Sequence, residues 1–112
     1  MVKDEISYTD FQKLDLRVGK VVKAESVEGS QNLIRVEVDF GTDIGKRKIF
    51  SGVAKWYKPS QLKGKKFIFL VNLAPKQMMH ELSSGMILCA DFDQKAVIIP
   101  VPKSIPEGTI VR

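Results

Sequence analysis

The side chains best suited to holding a ligand are concentrated in one stretch, LVNLAPKQMMHELSSGMILCA, residues 70–90. It offers an amide at Asn72, an ammonium at Lys76, hydroxyls at Ser83 and Ser84, and thioethers at Met78, Met79 and Met86. Catalysis finds little support. The chain has one histidine, His80, and one cysteine, Cys89, too few for a zinc site of nitrogen and sulfur ligands. Cys89 sits within the apolar run MILCA, where a thiol behaves as a small inert hydrophobe. The stretch GTDIGKR superficially resembles a phosphate-binding P-loop, but it is one residue short between its glycines and lacks the Ser or Thr that would hold magnesium. No cofactor and no metal are expected.

Charge distribution points to the kind of ligand. Between Ile44 and His80 lie nine basic residues, Lys46, Arg47, Lys48, Lys55, Lys58, Lys63, Lys65, Lys66 and Lys76, and no acid. The rest of the chain holds nine basic and thirteen acidic side chains, so a net charge of +5 conceals a strongly cationic centre. Surfaces usually mix both signs, and a segregated field suits a polyanion. Phosphates are favoured, because Lys and Arg contacts that release counterions supply most nonspecific nucleic-acid affinity. Anionic lipid is disfavoured by the lack of a basic amphipathic helix. Exposed turns that happen to carry lysine are the bland alternative.

The 112 residues, 44% hydrophobic, suffice for one core and one domain, with its body at about residues 10–106. The longest apolar run, FIFLV, is far too short to span a membrane as a helix. MVKDEISYTD places acids and hydroxyls where a secretory signal has basic and then apolar residues. With its unpaired cysteine, this predicts a cytoplasmic protein.

Alternation and turn signals supply the elements. YTDFQKLD predicts a helical turn capped by Thr9, with Gln12 completing a capping box. LRVGKVVKAESVE predicts a first strand with Leu16, Val18, Val22 and Ala24 inward and a bulge or bend at Gly19 and Lys20. In LIRVEVDFG, Ile34, Val36, Val38 and Phe40 face one way. KRKIFSG is a third strand, VAKWYKPSQL a short helix or helical loop, and FIFLVNL a central strand apolar on both faces. GMILCADF and KAVIIPVP form a hairpin around Asp93 and Gln94, and TIVR ends the chain as an edge strand after a Pro and Gly turn. Five main strands with a helix between the third and fourth predict an all-β OB-fold barrel with a C-terminal extension, against other small barrels. Trp56 and Tyr57 in the connector read as a plug for the open barrel end rather than as a stacking platform.

The pieces DFQKLDLRVGKVVKAESVEGSQNLIRVEVDFG, RKIFSGVAKWYKP, LKGKKFIFLVNLAPKQM and SSGMILCA together resemble the tRNA-binding domain found at the C-terminus of methionyl-tRNA synthetases and as a free-standing protein. They are also similar to the endothelial-monocyte-activating polypeptide II family. The resemblance implies an OB-fold homodimer that binds tRNA by shape and backbone and assists methionyl-tRNA synthetase without catalysing a reaction. It implies binding roles for Arg47 and for Ser83 and Met86 of the S-x-G-M motif. Where the family usually has lysine before the leucine that opens strand two, this chain has Asn32, and Arg35 or Lys46 could compensate.

Side-chain chemistry bears on each of these positions. Arg47 has a planar fork of donors matched to phosphate oxygens. By position alone Ser83 is a turn residue and Met86 a core residue, and only the resemblance moves them to a binding face. Lys76, like Lys46 and Lys48, is expected to meet phosphate, whereas Asn72 reads as a structural tie to its loop or as a binding residue. A general single-strand binder and a chaperone-like interaction dimer remain as alternatives. The apolar VIIPVP and TIVR segments leave an edge that a second copy would cover.

Overall fold

The alternating segments pair into one antiparallel sheet that curls on itself, seen in a computed structural model that describes all 112 residues. In chain order the elements are α1 (Tyr8–Phe11), β1 (Leu16–Ser26), β2 (Ile34–Asp39), β3 (Lys46–Ser51), α2 (Pro59–Leu62), β4 (Lys66–Leu70), β5 (Lys76–Met78), β6 (Glu81–Ser83), β7 (Met86–Ile87), β8 (Cys89–Phe92), β9 (Lys95–Ile98) and β10 (Ile110–Val111). The main sheet runs β3-β2-β1-β4-β7, with β10 added to the start of β1. β3 then approaches β6 and β7, which brings the two ends of the sheet together as a nearly closed five-stranded barrel of OB type. Two small hairpins, β5-β6 and β8-β9, stand off this barrel.

Ile34, Val36, Val38 and Phe40 are all buried, as their alternation requires, and they meet Ile49 from β3 and Phe67 and Phe69 from β4. Phe40 and Phe69 pack edge to face, with ring centroids 5.3 Å apart. Pro59 opens α2, where its missing N–H costs nothing, and Leu62 from that turn enters the core. Tyr57 packs against the core, and its hydroxyl accepts the Ile98 N–H at 3.3 Å, tying the second hairpin to the connector.

Three local expectations are corrected. The cap of α1 is Ser7, not Thr9, because Ser7 Oγ accepts the Asp10 N–H at 3.1 Å. In β1 the register shifts between Val21 and Lys23, past the expected bulge at Gly19 and Lys20. That shift buries Val21 in place of Val22, while Gly19 itself faces the core. Finally, MILCADF is not one strand: β7 pairs with β4 and β8 leaves with β9. The turn at Asp93 and Gln94 does form, both residues with positive φ.

The first hairpin, β5-β6, turns at Met79 and His80, whose φ values are 48° and 69°. No Asn-Gly or Asp-Gly signal marks this turn in the sequence. Part of its tether to the barrel is ionic. Glu81 pairs with Arg35 of β2, and its other oxygen lies 3.6 Å from Lys48 Nζ of β3. Hydrogen bonding from Arg35 is the main reason that the Glu81 carboxyl is held below its usual range, with partial desolvation opposing and both cations helping.

Two outcomes follow from this packing. A Cβ on Gly19 would lie 2.5 Å from Val38 Cγ1 and 2.6 Å from Phe40 Cε1, so Gly19→Ala should lower stability by about 1–3 kcal/mol in denaturant unfolding. Because the Glu81 pKa is depressed in the folded state, its contribution is present above the ordinary carboxylate pKa and lost as pH falls through the folded value. Wild type should therefore melt above Glu81→Gln at neutral pH, and the gap should close on acidification below the usual carboxylate range.

Candidate nucleic-acid interface

β3 uses one edge for β2, so its other edge must find partners to complete the barrel. They come from the SSG turn. Phe50 donates its backbone N–H to Ser83 Oγ at 3.0 Å, and Ser84 donates its own N–H to the Lys48 carbonyl at 3.0 Å. Arg47 shares a strand face with Ile49 and Ser51 but sits at the rim, where its guanidinium donates to the Val71 carbonyl at 2.5 Å and reaches the Ser84 carbonyl at 3.5 Å. β3, the end of β4 and the SSG turn are thus joined by one backbone bond and by the Ser83 and Arg47 side chains, with no paired ladder between them.

An open cleft of about 710 Å³ lies along this seam. Lys46, Arg47 and Lys48 form one wall, and Leu73, Ala74 and Ser84 contribute to the other, with no acid lining it. Asn72 stands at its edge with both ends of its amide occupied, accepting from Asp15 N–H at 2.8 Å and donating to the Lys13 carbonyl at 2.6 Å. This holds the Leu73–Pro75 loop against the chain leading into β1. Immediately beyond Leu73 and Ala74 lies a smaller apolar pocket, rimmed by Lys76, Met86 and Ser83. Ser83 is only 5% exposed and lies beneath the surface, whereas Met86 is 44% exposed.

The remaining candidates are arranged differently. Arg35 lies outside the cleft, opposite Phe50 on the outer sheet face, and is engaged by Glu81 and Glu25. That face alternates charges across β1, β2 and β3 through Lys23, Glu25, Arg35, Glu37 and Lys48. Asn32 lies beyond the Ile34–Ser51 pair, at the opposite end of the β2-β3 ladder from Lys46. Its carbonyl accepts from Ala54, so the loop it belongs to faces the connector.

The cationic stretch from Lys46 to Lys76 does not gather at one place in the fold. Lys46, Arg47, Lys48 and Lys76 collect around the cleft and pocket, but Lys63, Lys65 and Lys66 lie at the other end of β4 from Asn72. Lys66 is largely buried, bonded to the Lys103 and Ile105 carbonyls and to Glu107 at 3.1 Å. A lysine run in sequence says nothing about which end of a strand each residue reaches. Leu73 and Glu81 carry no signal for the site in the sequence, whereas Ser84 is one of the two hydroxyls of the 70–90 stretch.

Comparison with known proteins agrees with this geometry. A family model described as "Putative tRNA binding domain" matches residues 16–110. The chain is 43% identical over 112 residues to a methionine–tRNA ligase of Clostridium tetani, covering 98% of this chain and 17% of the ligase. It is 47% identical over 109 residues to a methionine–tRNA ligase of Archaeoglobus fulgidus, covering 97% of this chain and 16% of that one. It thus spans about a sixth of the length of these relatives.

Among solved structures, a MetRS related protein from Pyrococcus horikoshii superposes with a TM-score of 0.92 at 39% identity, covering 98% of this chain and all of that one. The chaperone CsaA of Bacillus anthracis superposes with a TM-score of 0.86 at 29% identity, covering 97% of this chain and all of that one. The family match, the ligase segments and a barrel whose seam carries an acid-free basic cleft agree: this chain belongs to the tRNA-binding domain family.

Proposed function

We propose that the chain binds tRNA along the β3 seam, through phosphate and ribose contacts, as a non-catalytic module. The observation that carries this is the acid-free cleft walled by Lys46, Arg47 and Lys48. Ammonium and guanidinium groups on a rigid strand can follow a phosphate backbone, and a fixed spacing favours a folded RNA over a flexible one. Lys46 is exposed and has no carboxylate within ion-pair distance, so its charge is available. Lys76 extends the field toward Met86. Arg47 and Ser83 hold the seam together, and Asn72 fixes the loop opposite; each of these could also meet RNA directly. Arg35 would reach phosphate only by exchanging Glu81, and Asn32 provides no charge.

The partner we infer is methionyl-tRNA synthetase, with this domain raising the effective concentration of tRNA near the catalytic body, whether joined to it or docked as a separate cytoplasmic subunit. The support is the pair of ligases that contain a matching segment. We also infer a homodimer. Ile99 and Ile110 are 47% and 61% exposed on the C-terminal segments, and Phe92 at the tip of the second hairpin is 71% exposed. Such apolar surface at a sheet edge suits a second copy.

Three measurements test these readings. The observed tRNA affinity should fall with salt with a log–log slope of roughly −3, as expected for about four phosphate contacts, and folded tRNA should outcompete unstructured RNA or single-stranded DNA of equal length. Lys46→Ala should flatten that slope by about 1 without altering the melting temperature. Equal competition by all three nucleic acids, or a salt-independent affinity, would contradict the proposal. Sedimentation equilibrium should give twice the 12.6 kDa chain mass at micromolar concentration, and a constant mass near 12.6 kDa would exclude the dimer.

A further inference from the structure

The apolar pocket beside the cleft has a volume of about 200 Å³, well below that of a drug-sized ligand site and enough for one planar ring system. Phe50, Leu73, Met78 and Met86 supply its walls, and Ser83 and Lys76 are its polar members. Leu73 and Met86 are 46% and 44% exposed, so the pocket is open to an arriving group. Gly85 shapes its base: its φ is +141°, and a Cβ there would lie 3.0 Å from Ile49 Cδ1 and 3.1 Å from the Leu70 carbonyl. A side chain at this point would be crowded and its backbone strained.

We propose that this pocket takes one unstacked nucleobase, whose own phosphate lies in the neighbouring Arg47 cleft. This rests on the tRNA-binding reading and adds to it a base contact. Three observations choose the occupant. The pocket and the cleft share Leu73 and Ala74 as a common wall, so one nucleotide can bridge them, ring on one side and phosphate on the other. No acid lines either cavity, and Lys76 stands at the pocket rim, which suits a group tethered to an anion.

The third observation is the chemistry of the walls. The Met86 and Met78 thioethers and the Leu73 side chain offer polarizable and aliphatic surface to a π-face. Ser83, 5% exposed, accepts from Phe50 N–H and has its hydroxyl proton left over to donate to a ring nitrogen or carbonyl oxygen. Such a site reads an extruded base and therefore selects RNA with an unstacked nucleotide at the right place on its surface.

The test uses the intact chain and tRNA. With methyl-labelled methionine, the Met86 ε-methyl resonance should move upfield on tRNA addition, because a ring stacked over it shields the group. Met86→Ala and Leu73→Ser should each weaken tRNA binding by about tenfold, the scale of one stacked base, while the log–log salt slope stays at the wild-type value. Both positions are exposed enough that folding, checked by thermal melting, is retained.

If wild type binds tRNA with a steep salt dependence but the Met86 methyl does not move and both variants bind as wild type, the base pocket is refuted and the backbone reading survives. A flattened slope in Met86→Ala means that the cleft itself was disturbed and also refutes it. A Met86 shift produced by an unfolded peptide and not by tRNA would make the pocket a peptide site. Absence of salt-dependent tRNA binding in wild type would overturn both readings together.

Discussion

Phe50 donates its backbone N–H to the side-chain hydroxyl of Ser83 and not to a backbone carbonyl, and much of this molecule depends on that bond. The five-stranded barrel closes without a paired ladder at one join, between β3 and the β6-β7 segment. A buried amide left there without an acceptor would cost about 1–3 kcal/mol. Ser83 meets the amide, the Ser84 N–H meets the Lys48 carbonyl, and Arg47 meets the carbonyls of Val71 and Ser84. The open cleft lies beside this join and is lined by the basic side chains that flank it.

Electrostatics then separates two kinds of cation. Arg35 and Lys66 have carboxylate partners and serve the fold, the first by holding the β5-β6 hairpin and the second by anchoring the C-terminal segment through Glu107. Hydrogen bonding from Lys66 holds the Glu107 carboxyl below its usual range, as Arg35 does for Glu81. Lys46 is unpaired and exposed, Arg47 is bonded only to carbonyl oxygens, and Lys48 keeps one loose contact to Glu81. Net positive charge is therefore left over at the seam, where phosphate can use it, and largely consumed on the outer face of the sheet. Total charge would not have separated these two faces.

The barrel was legible in the sequence because half-buried strands impose strict alternation. Ile34 to Phe40 and the two-sided apolar run at Phe67 to Val71 determine which residues form the core, and both lie where the pattern puts them. β1 was less legible, since Gly19 provides an inward position without an apolar side chain and the shift at Val22 changes the phase. The β5-β6 hairpin was not legible, because Met79 and His80 adopt positive φ without the residues that usually announce it. For the site, the local cluster Lys46, Arg47 and Lys48 was readable and is together in space. Lys63, Lys65 and Lys66, close in sequence, lie at the other end of β4, and the nearest carboxylates of Arg35 and Lys66, Glu81 and Glu107, come from positions 46 and 41 residues away, with Glu25 a second, nearer-in-sequence partner of Arg35. The ion pairing that decides whether a charge is free is long-range, and no local pattern carries it.

Residue-resolved amide hydrogen exchange, with and without tRNA, tests the seam most directly. In the free protein the Phe50 and Ser84 amides should exchange as slowly as the β1-β2 ladder, and tRNA should slow exchange further along residues 46–50, 71–76 and 82–86 while leaving the β8-β9 hairpin unchanged. If Phe50 and Ser84 exchange at loop rates, or tRNA protects the β8-β9 hairpin and not the seam, the barrel is not closed in this way and the binding surface lies elsewhere.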